Sequence, residues 1–156
     1  MDLTGDELAG VVDLFDALTP GELGQALAEL AYRQGDDVEP AVFDDDVAVA
    51  RETYHLVAFE PTAADGPWLV PGPVAFPELP EDATDLPHIL DVPDRTVDRD
   101  RLGAAAEERF RADTARAVAD GNDDRMRELL DASYELEVWG PVDLASARER
   151  LDDALT

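Results

Sequence analysis

The sequence contains no cysteine and no lysine. Without cysteine there is no disulfide bond, no thiolate nucleophile and no sulfur ligand for a metal. Without lysine, all twelve basic side chains are arginines, and the nucleophiles that remain are Ser133, Ser146, the threonines and the carboxylates. Neither serine has the flanking glycines of a nucleophile elbow. These absences leave few groups for covalent catalysis.

Long apolar runs are also missing. No run approaches the roughly 18 residues that a membrane-spanning helix requires. The first ten residues, MDLTGDELAG, lack the basic and apolar regions of a signal peptide. We therefore expect a cytoplasmic protein with no membrane partner.

The charge is strongly one-sided. Acidic side chains number 38 and basic ones 12, which gives a net charge of −26, and aspartate (24) outnumbers glutamate (14). This composition resembles that of small acidic proteins of unknown function from halophilic archaea, whose cytoplasm holds concentrated potassium chloride. At about 1 M salt the Debye length is about 3 Å, so surface carboxylates hardly repel one another, whereas in dilute buffer their repulsion destabilises the compact state. An ordinary acidic protein of a mesophile is the alternative interpretation.

Capping boxes predict the first two helices. Thr4–Glu7 and Thr19–Glu22 both have the required spacing, and apolar residues follow each of them at helical period. The first helix is predicted to continue to Leu18. The second has Pro20 at its first position and is predicted to end at Gly35.

A third helix and a β-hairpin are predicted next. The helix is expected from about residue 40 to residue 53, with three consecutive aspartates (Asp44, Asp45 and Asp46) on its outer face. Tyr54–Phe59 and Trp68–Val70 are rich in strand formers, and the turn sequence PTAADGP separates them.

The order helix, helix, helix, strand, turn, strand over residues 4–70 resembles the winged-helix arrangement. In that family the third helix enters the DNA major groove, and the wing contacts the backbone or the minor groove. The resemblance implies that residues 39–53 stand at the recognition-helix position and that residues 58–69 form the wing.

The side chains of this third helix do not suit DNA. A helix that enters the groove presents Arg, Lys, Asn or Gln, whereas this one presents the three aspartates and Glu52, with Arg51 as its only cation. Molar salt also removes most of the affinity that DNA binders gain from counterion release. We therefore expect the partner to be another protein, with nucleic acid as the less favoured alternative.

A proline-rich segment follows the hairpin. Seven of the eleven prolines lie between Pro61 and Pro87, and proline disfavours helix both at its own position and at the one before it. We expect residues 71–98 to lie extended over the helical core, with Trp68, Phe76 and Leu79 as buried anchors. An exposed Phe76 would instead make this segment the place to look for a partner.

Further helices are predicted in the C-terminal part. Asp98 is expected to cap a helix over residues 99–119, and a second helix is expected over residues 123–134. Leu136–Trp139 is predicted to be a short extended piece. Asp143 is expected to cap a last helix that reaches Leu155.

Five arginines lie on the first of these C-terminal helices. Arg109 and Arg116 are seven residues apart and so lie on similar faces, which makes them candidates for binding an acidic partner or RNA. Ion pairs with acidic neighbours on the same helix are the simpler interpretation. Phe76 and Trp68 are the other candidate partner-binding residues.

Acid–base and metal candidates are few. His88 follows Asp85 by three residues, which makes this pair a weak acid–base candidate. A structural histidine is the simpler interpretation here, as it is for His55, which is expected to be half-buried in a strand. No metal or cofactor site is predicted, because consecutive aspartates on a helix point in different directions and there is no glycine-rich phosphate loop.

The sequence as a whole predicts an α+β, mainly helical protein. A winged-helix-like unit (residues 1–70), a proline-rich covering segment (71–98) and a C-terminal helical region (99–156) are expected to form one globule. The predicted function is a non-enzymatic interaction or regulatory module. A winged-helix transcriptional regulator that binds DNA and a carboxylate- or histidine-based enzyme are the alternatives.

Overall fold

The structure is a computed structural model that describes residues 2–61 and 66–156. It divides into an N-terminal unit, Met1–Val97, and a C-terminal unit, Asp98–Thr156. The predicted fold class is confirmed, because the chain is mainly helical and carries a small antiparallel sheet. Residues 71–97 of the predicted covering segment belong to the N-terminal unit. The single globule stays a prediction.

The elements up to residue 71 follow the predicted order, whereas a short helix lies within residues 71–98, which were predicted to be extended. The elements of the N-terminal unit are α1 (Gly5–Asp13), α2 (Pro20–Arg33), a 3₁₀ turn (Pro40–Phe43), α3 (Asp44–Glu52), β1 (Leu56–Phe59), β2 (Trp68–Pro71) and the short helix α4 (Leu86–Ile89).

Both predicted capping boxes are present. The Thr4 hydroxyl accepts the backbone N–H of Glu7 and the Glu7 carboxylate accepts that of Thr4, each at 3.1 Å. The same reciprocal pair joins Thr19 and Glu22 at the start of α2. These bonds satisfy N–H groups that have no partner within a helix, so each helix has a fixed first turn.

The first helix is shorter than predicted. It ends at Asp13, and Asp16 takes a left-handed conformation, φ 67°, that redirects the chain. Leu18 is therefore not part of the helix. Its N–H donates to the Leu69 carbonyl at 3.1 Å and its carbonyl accepts the Leu69 N–H at 2.7 Å, which adds an isolated bridge beside β2. The apolar residues after Asp13 continue the helical spacing, although they lie outside the helix.

The predicted hairpin is present. Leu56 pairs with Pro71 and Phe59 with Trp68 in antiparallel register. Four residues of the predicted wing, 62–65, lie outside the described residues. The Phe59 and Trp68 rings make an edge-to-face contact with centroids 5.7 Å apart, a favourable geometry for a cross-strand aromatic pair.

The segment from Gly72 to Val97, here called the strap, packs on the N-terminal unit through anchors that differ from the predicted ones. Ala83 and Leu86 are fully buried in the core of the unit. Phe76 is 79% exposed and Leu79 is 48% exposed, so their prediction as buried anchors was wrong.

The core of the N-terminal unit is formed by α1, α2 and the hairpin. Its buried members include Leu8, Val11, Val12, Leu23, Leu27, Leu30, Leu56 and Leu69. In α1 and α2 these residues recur at helical spacing, as the sequence predicted.

The C-terminal unit contains α5 (Arg99–Asp120), α6 (Asp123–Trp139) and α7 (Ala145–Leu155). The Asp98 carboxylate accepts the N–H groups of Asp100 and Arg101 and so caps α5, as predicted. Gly121, at φ 61°, ends that helix. The Asp143 carboxylate accepts the N–H of Ala145 at the start of α7.

The extended piece predicted at Leu136–Trp139 was wrong, because α6 continues to Trp139. Leu136 is fully buried and continues the stripe begun by Met126 and Leu129. Arg99 donates to the Trp139 carbonyl at 2.8 Å, and this contact satisfies a carbonyl that the end of the helix leaves free. A tertiary contact therefore overrides the strand propensity of Val138 and Trp139.

Candidate functional site

The most exposed aromatic ring among the described residues belongs to Phe76, on the strap. Leu79, three residues later, is 48% exposed, and the exposed Glu78 lies between them. We call Phe76, Glu78 and Leu79 the Phe76 surface. An exposed ring matters most where its backbone is fixed, because a fixed ring binds a partner with little loss of conformational entropy.

Asp6, in the first turn of α1, holds the backbone beneath this surface. Its carboxylate oxygen Oδ1 accepts the N–H of Phe76 at 2.9 Å. Its own backbone carbonyl accepts the N–H of Glu78 at 3.0 Å. Pro77, between Phe76 and Glu78, has no N–H to donate. Both backbone N–H groups of this stretch are therefore hydrogen-bonded to one residue, Asp6.

The strap is also fixed before Phe76. Gly72 donates to the His55 carbonyl at 2.8 Å, and Val74 donates to the Tyr54 carbonyl at 3.1 Å. Tyr54 is buried and has a left-handed backbone, φ 62°, which directs its carbonyl toward the strap. The chain that carries Phe76 is therefore held from the hairpin and from α1.

Gly10 permits the strap to lie directly on α1. A Cβ atom at this position would stand 2.1 Å from the Glu78 carbonyl oxygen. Because the obstacle is backbone and not a movable side chain, only glycine allows this contact. This close approach of the strap to α1 could not be predicted, because a glycine within a helical sequence pattern does not indicate which backbone lies against it.

We expect Gly10→Ala to destabilise the N-terminal unit by about 1–3 kcal/mol, as overpacking does. The gain of about 1 kcal/mol in helix propensity offsets only part of this cost. The measurement is urea unfolding at a fixed molar KCl concentration. Gly21→Ala in α2 is the matched control, because a Cβ there meets nothing within 4 Å. Equal stability of the two variants would contradict a tight strap contact.

His55 lies beside Asp6 but does not form a catalytic arrangement with it. Its Nδ1 is 2.7 Å from the Thr53 hydroxyl oxygen, and its Nε2 is 3.7 Å from Asp6 Oδ1, beyond hydrogen-bond reach. The Thr53 hydroxyl also lies 3.0 Å from the Val49 carbonyl, to which it donates. With its proton on the helix backbone, this hydroxyl is not set up as a nucleophile. His55 is half-buried, as predicted, but it precedes β1, so its predicted place within a strand was wrong.

The predicted acid–base pair Asp85 and His88 is not brought together by its side chains. The His88 backbone N–H donates to the Asp85 carbonyl at 2.9 Å, within one turn around α4. Both side chains are exposed, and no hydrogen bond or ion pair joins them in the part of the chain that the structure describes. The pair gains neither burial nor a cleft, so its geometry offers no acid–base site.

Trp68, another candidate partner-binding residue, is partly buried beneath Arg95 of the strap. The Arg95 guanidinium lies 5.2 Å from the Trp68 ring centroid. It also makes two hydrogen bonds to the Glu22 carboxylate and donates to the Ala17 carbonyl at 3.2 Å. Only 8% of the Arg95 side chain is exposed. Trp68 therefore helps to hold the end of the strap, and one face of its ring is already covered.

The pKa of Glu22 reflects this contact. Burial alone raises the pKa of its carboxyl, but hydrogen bonds from Arg95 and from the Thr19 backbone outweigh burial and hold the pKa below its usual value. The sequence did not indicate the pair, because 73 residues separate Glu22 and Arg95.

In the C-terminal unit, Arg109 is engaged within its own helix. Its Nε lies 3.2 Å from both carboxylate oxygens of the buried Asp113, and Arg125 of α6 contacts the same carboxylate at 3.4 Å. Arg116 is exposed, and no ion pair to it is found within the described ranges. The ion-pair interpretation is thus confirmed for Arg109. The docking role of Arg109 and Arg116 stays a prediction.

The same unit exposes two apolar side chains on α6. Tyr134 is 60% exposed and Val138, one turn later, is 91% exposed. The Arg148 guanidinium lies 4.6 Å from the Tyr134 ring centroid and hydrogen-bonds to Glu137. That hydrogen bond lowers the pKa of the Glu137 carboxyl. One face of the Tyr134 ring is thus covered by a cation.

A shallow cleft lies between α2 and α3. Its volume is about 200 Å³. The lining residues are Pro20, Gly24, Phe43, Asp44, Val47, Ala48 and Arg51, and we call this the α2–α3 cleft. The walls are mainly apolar, with a carboxylate towards one end of α3 and a guanidinium towards the other. The three aspartates at the start of α3 are exposed, so this face is acidic.

Among the described residues, no three side chains of His, Asp or Glu are grouped as a metal would require. No helix within residues 2–61 or 66–156 is both long and apolar enough to cross a membrane.

Comparison with known proteins places the chain in a family. The model of the family of unknown function DUF7109 matches residues 6–156, and the chain belongs to that family. Neither a search of curated proteins nor a search of solved structures found a match.

Proposed function

We propose that this DUF7109 protein is a non-enzymatic interaction or regulatory module of a salt-adapted cytoplasm, and that it binds a partner protein through the Phe76 surface. The observation that supports this proposal is a ring 79% exposed on a backbone whose N–H groups donate to Asp6 of α1 and to the carbonyls of Tyr54 and His55. Aromatic anchors held in advance are typical of the residues that dominate binding energy at interfaces.

The charges near Phe76 define the partner's chemistry. Glu78 is part of the surface, Asp6 lies beneath it, and the exposed Glu81 and Asp82 follow on the strap. An acidic surface with an aromatic centre fits an apolar pocket that carries a cation at its rim, because opposite charges set the register of an interface. The partner is therefore expected to offer a pocket for one ring, with arginine or lysine beside it.

The acidic α3 surface does not favour the DNA-binding alternative. Asp44, Asp45, Asp46 and Glu52 are exposed there, and phosphate contacts need cations. Among the described residues, the Asp6–His55 geometry does not favour the enzyme alternative, because it leaves no activated nucleophile there.

The test is photo-crosslinking from position 76. A photoreactive phenylalanine analogue replaces Phe76, and the chain is exposed to its native lysate in molar KCl. We expect a defined crosslinked partner, whose crosslinked residue lies in an apolar pocket beside arginine or lysine. Phe76→Ala should lose at least tenfold in affinity for that partner, since an anchor ring contributes about 2 kcal/mol or more.

Tyr32→Ala is the matched control. Tyr32 is a 66% exposed aromatic residue of α2, outside the Phe76 surface, and its removal should leave partner affinity unchanged. Circular dichroism should show both variants folded, because both rings are exposed. If capture tolerates Phe76→Ala as well as Tyr32→Ala, the Phe76 surface is not the binding site.

A further inference from the structure

Arg95 occupies a site that recognises a guanidinium group through three kinds of contact. Its two terminal nitrogens hydrogen-bond to the two carboxylate oxygens of Glu22, with Nη2 and Oε2 3.0 Å apart. Nη1 also donates to the Ala17 carbonyl at 3.2 Å. The guanidinium carbon lies 5.2 Å from the centroid of the Trp68 ring. The site therefore uses both the donors and the flat face that distinguish a guanidinium from an ammonium group.

The groups that form this site are held by other parts of the N-terminal unit. The Glu22 carboxylate accepts the Thr19 N–H at 2.8 Å, so it stays oriented without the arginine. Trp68 pairs with Phe59 in the hairpin, and the two rings are in contact. We therefore expect the site to keep its shape when the arginine leaves, as a preorganised binding site does.

The chain that carries Arg95 is held less firmly than the site. The start of the strap, residues 72–78, donates four backbone N–H groups to α1 and to the carbonyls of residues 54 and 55. By contrast, no backbone group of residues 91–97 forms a hydrogen bond within the described ranges. Four of these seven residues are exposed, and Val92 packs only partly against the core. The end of the strap depends chiefly on the Arg95 side chain, so it can lift away without unfolding of the core.

A preorganised site with a loosely tethered occupant is suited to exchange of that occupant. We propose that Glu22, Trp68 and the Ala17 carbonyl form a binding site for an arginine side chain of a partner protein, and that Arg95 fills this site until the partner displaces it. A lysine would fit less well, because an ammonium group cannot donate to both carboxylate oxygens in one plane and also stack on the ring. This site does not depend on the Phe76 surface.

The exchange retains the main contacts of the site. An arginine that replaces Arg95 keeps the ion pair with Glu22, so no partly buried carboxylate is left without a donor. Asp91 and Asp94, both exposed, flank Arg95 along the strap and make this end of the strap attractive to a cationic partner. The contacts within the site are short and shielded from solvent, so molar salt weakens them less than it weakens long-range attraction.

The experiment measures binding of a small arginine ligand to a chain that lacks the internal arginine. Arg95→Ala is combined with Trp139→Phe, so that Trp68, in the site, is the remaining tryptophan. Addition of N-acetyl-arginine amide in molar KCl should give a saturable change in Trp68 fluorescence, with a dissociation constant in roughly the millimolar range for a ligand of this size. N-acetyl-lysine amide should bind about tenfold more weakly or not at all, and a further Glu22→Gln change should abolish binding of the arginine probe.

The chain that keeps Arg95 provides the comparison. With Trp139→Phe alone, the same probe should bind about tenfold more weakly, because only the fraction of molecules with the strap end open can bind it. Arg116→Ala, which removes an exposed arginine of the C-terminal unit, is the control and should bind the probe as weakly. If Arg95→Ala does not fold alone, the arginine probe should restore its helical circular dichroism, and the lysine probe should not.

Four results would overturn the inference. In the first, the arginine probe neither binds to Arg95→Ala nor restores its fold; in the second, the lysine probe acts equally well. In the third, Glu22→Gln leaves binding unchanged. In the fourth, the chain that keeps Arg95 does not bind the probe at about a hundredfold the dissociation constant of the variant, which would make Arg95 a permanent part of the fold. None of these results bears on the crosslink from position 76.

Discussion

In dilute buffer at pH 7 the protein is expected to lose its helical circular dichroism, and in KCl of about 1 M or more it is expected to regain it. The net charge of −26 opposes the compact state when it is unscreened. At about 1 M salt the Debye length is about 3 Å, so the repulsion between surface carboxylates is largely screened. Full helical structure without added salt would contradict this expectation.

The two units should respond to salt differently. Residues 1–97 contain 22 acidic side chains and three arginines, a net charge of −19, whereas residues 98–156 contain 16 and nine, a net charge of −7. The N-terminal unit is therefore expected to unfold at the higher KCl concentration as salt is removed.

Each unit carries one tryptophan, which allows the two transitions to be separated. Trp139→Phe leaves Trp68 as the reporter of the N-terminal unit, and Trp68→Phe leaves Trp139 as the reporter of the C-terminal unit. As KCl is lowered, the emission of Trp68 should shift to longer wavelength before that of Trp139. The dichroism of both variants in molar KCl is the control for folding. The opposite order would show that net charge does not determine the salt requirement.

Arg95→Met is expected to lower the free energy of unfolding of the N-terminal unit by about 1–3 kcal/mol at pH 7, the cost of leaving a partly buried carboxylate without its hydrogen-bond donor. Methionine keeps much of the length of the side chain but cannot donate to Glu22 or to Ala17. The Glu22 carboxylate would then stay partly buried without its strongest hydrogen bonds. Urea unfolding in molar KCl, followed by Trp68 fluorescence, measures the loss.

The loss should shrink in acid. Because Arg95 lowers the pKa of Glu22 in the folded protein, the pair stabilises the fold fully above the unfolded glutamate pKa of about 4.3. That stabilisation disappears as the pH falls through the lower, folded value. Arg33→Met is the comparison, because Arg33 contacts Glu29 at 3.6 Å and donates to the Asp82 carbonyl of the strap from a more exposed position, and exposed ion pairs contribute about 0–1 kcal/mol. Equal losses for the two variants would mean that the Arg95–Glu22 pair stabilises the unit no more than an exposed ion pair does.

Local signals in the sequence were sufficient for much of the secondary structure. Thr4 with Glu7 and Thr19 with Glu22 identified the starts of α1 and α2, because a capping box involves residues only three apart. Asp98 identified the start of α5 in the same way. Such signals depend on neighbours along the chain, and a single sequence shows these directly.

The candidate site depended on contacts that a single sequence does not show. Phe76 was predicted to be buried because it is apolar, yet its exposure is decided by Asp6 and Gly10, which are more than sixty residues away along the chain. The hydrogen bonds of the strap backbone determine whether a side chain is a buried anchor or is exposed. Leu86, whose sequence neighbourhood was no more distinctive, became the anchor instead.

Glu22 belongs both to the capping box of α2 and to the ion pair with Arg95, so local opening of the strap affects the start of α2. One of its carboxylate oxygens, Oε1, accepts both the Thr19 amide and the Arg95 guanidinium. When the end of the strap lifts away, the first turn of α2 loses part of what holds it, so the two openings are coupled. In native-state hydrogen exchange, the amides of Thr19 and of Phe76 should then share one rate if the strap opens as a single unit. The exchange of the Thr19 amide would thus report how often the protein releases the segment that presents Phe76.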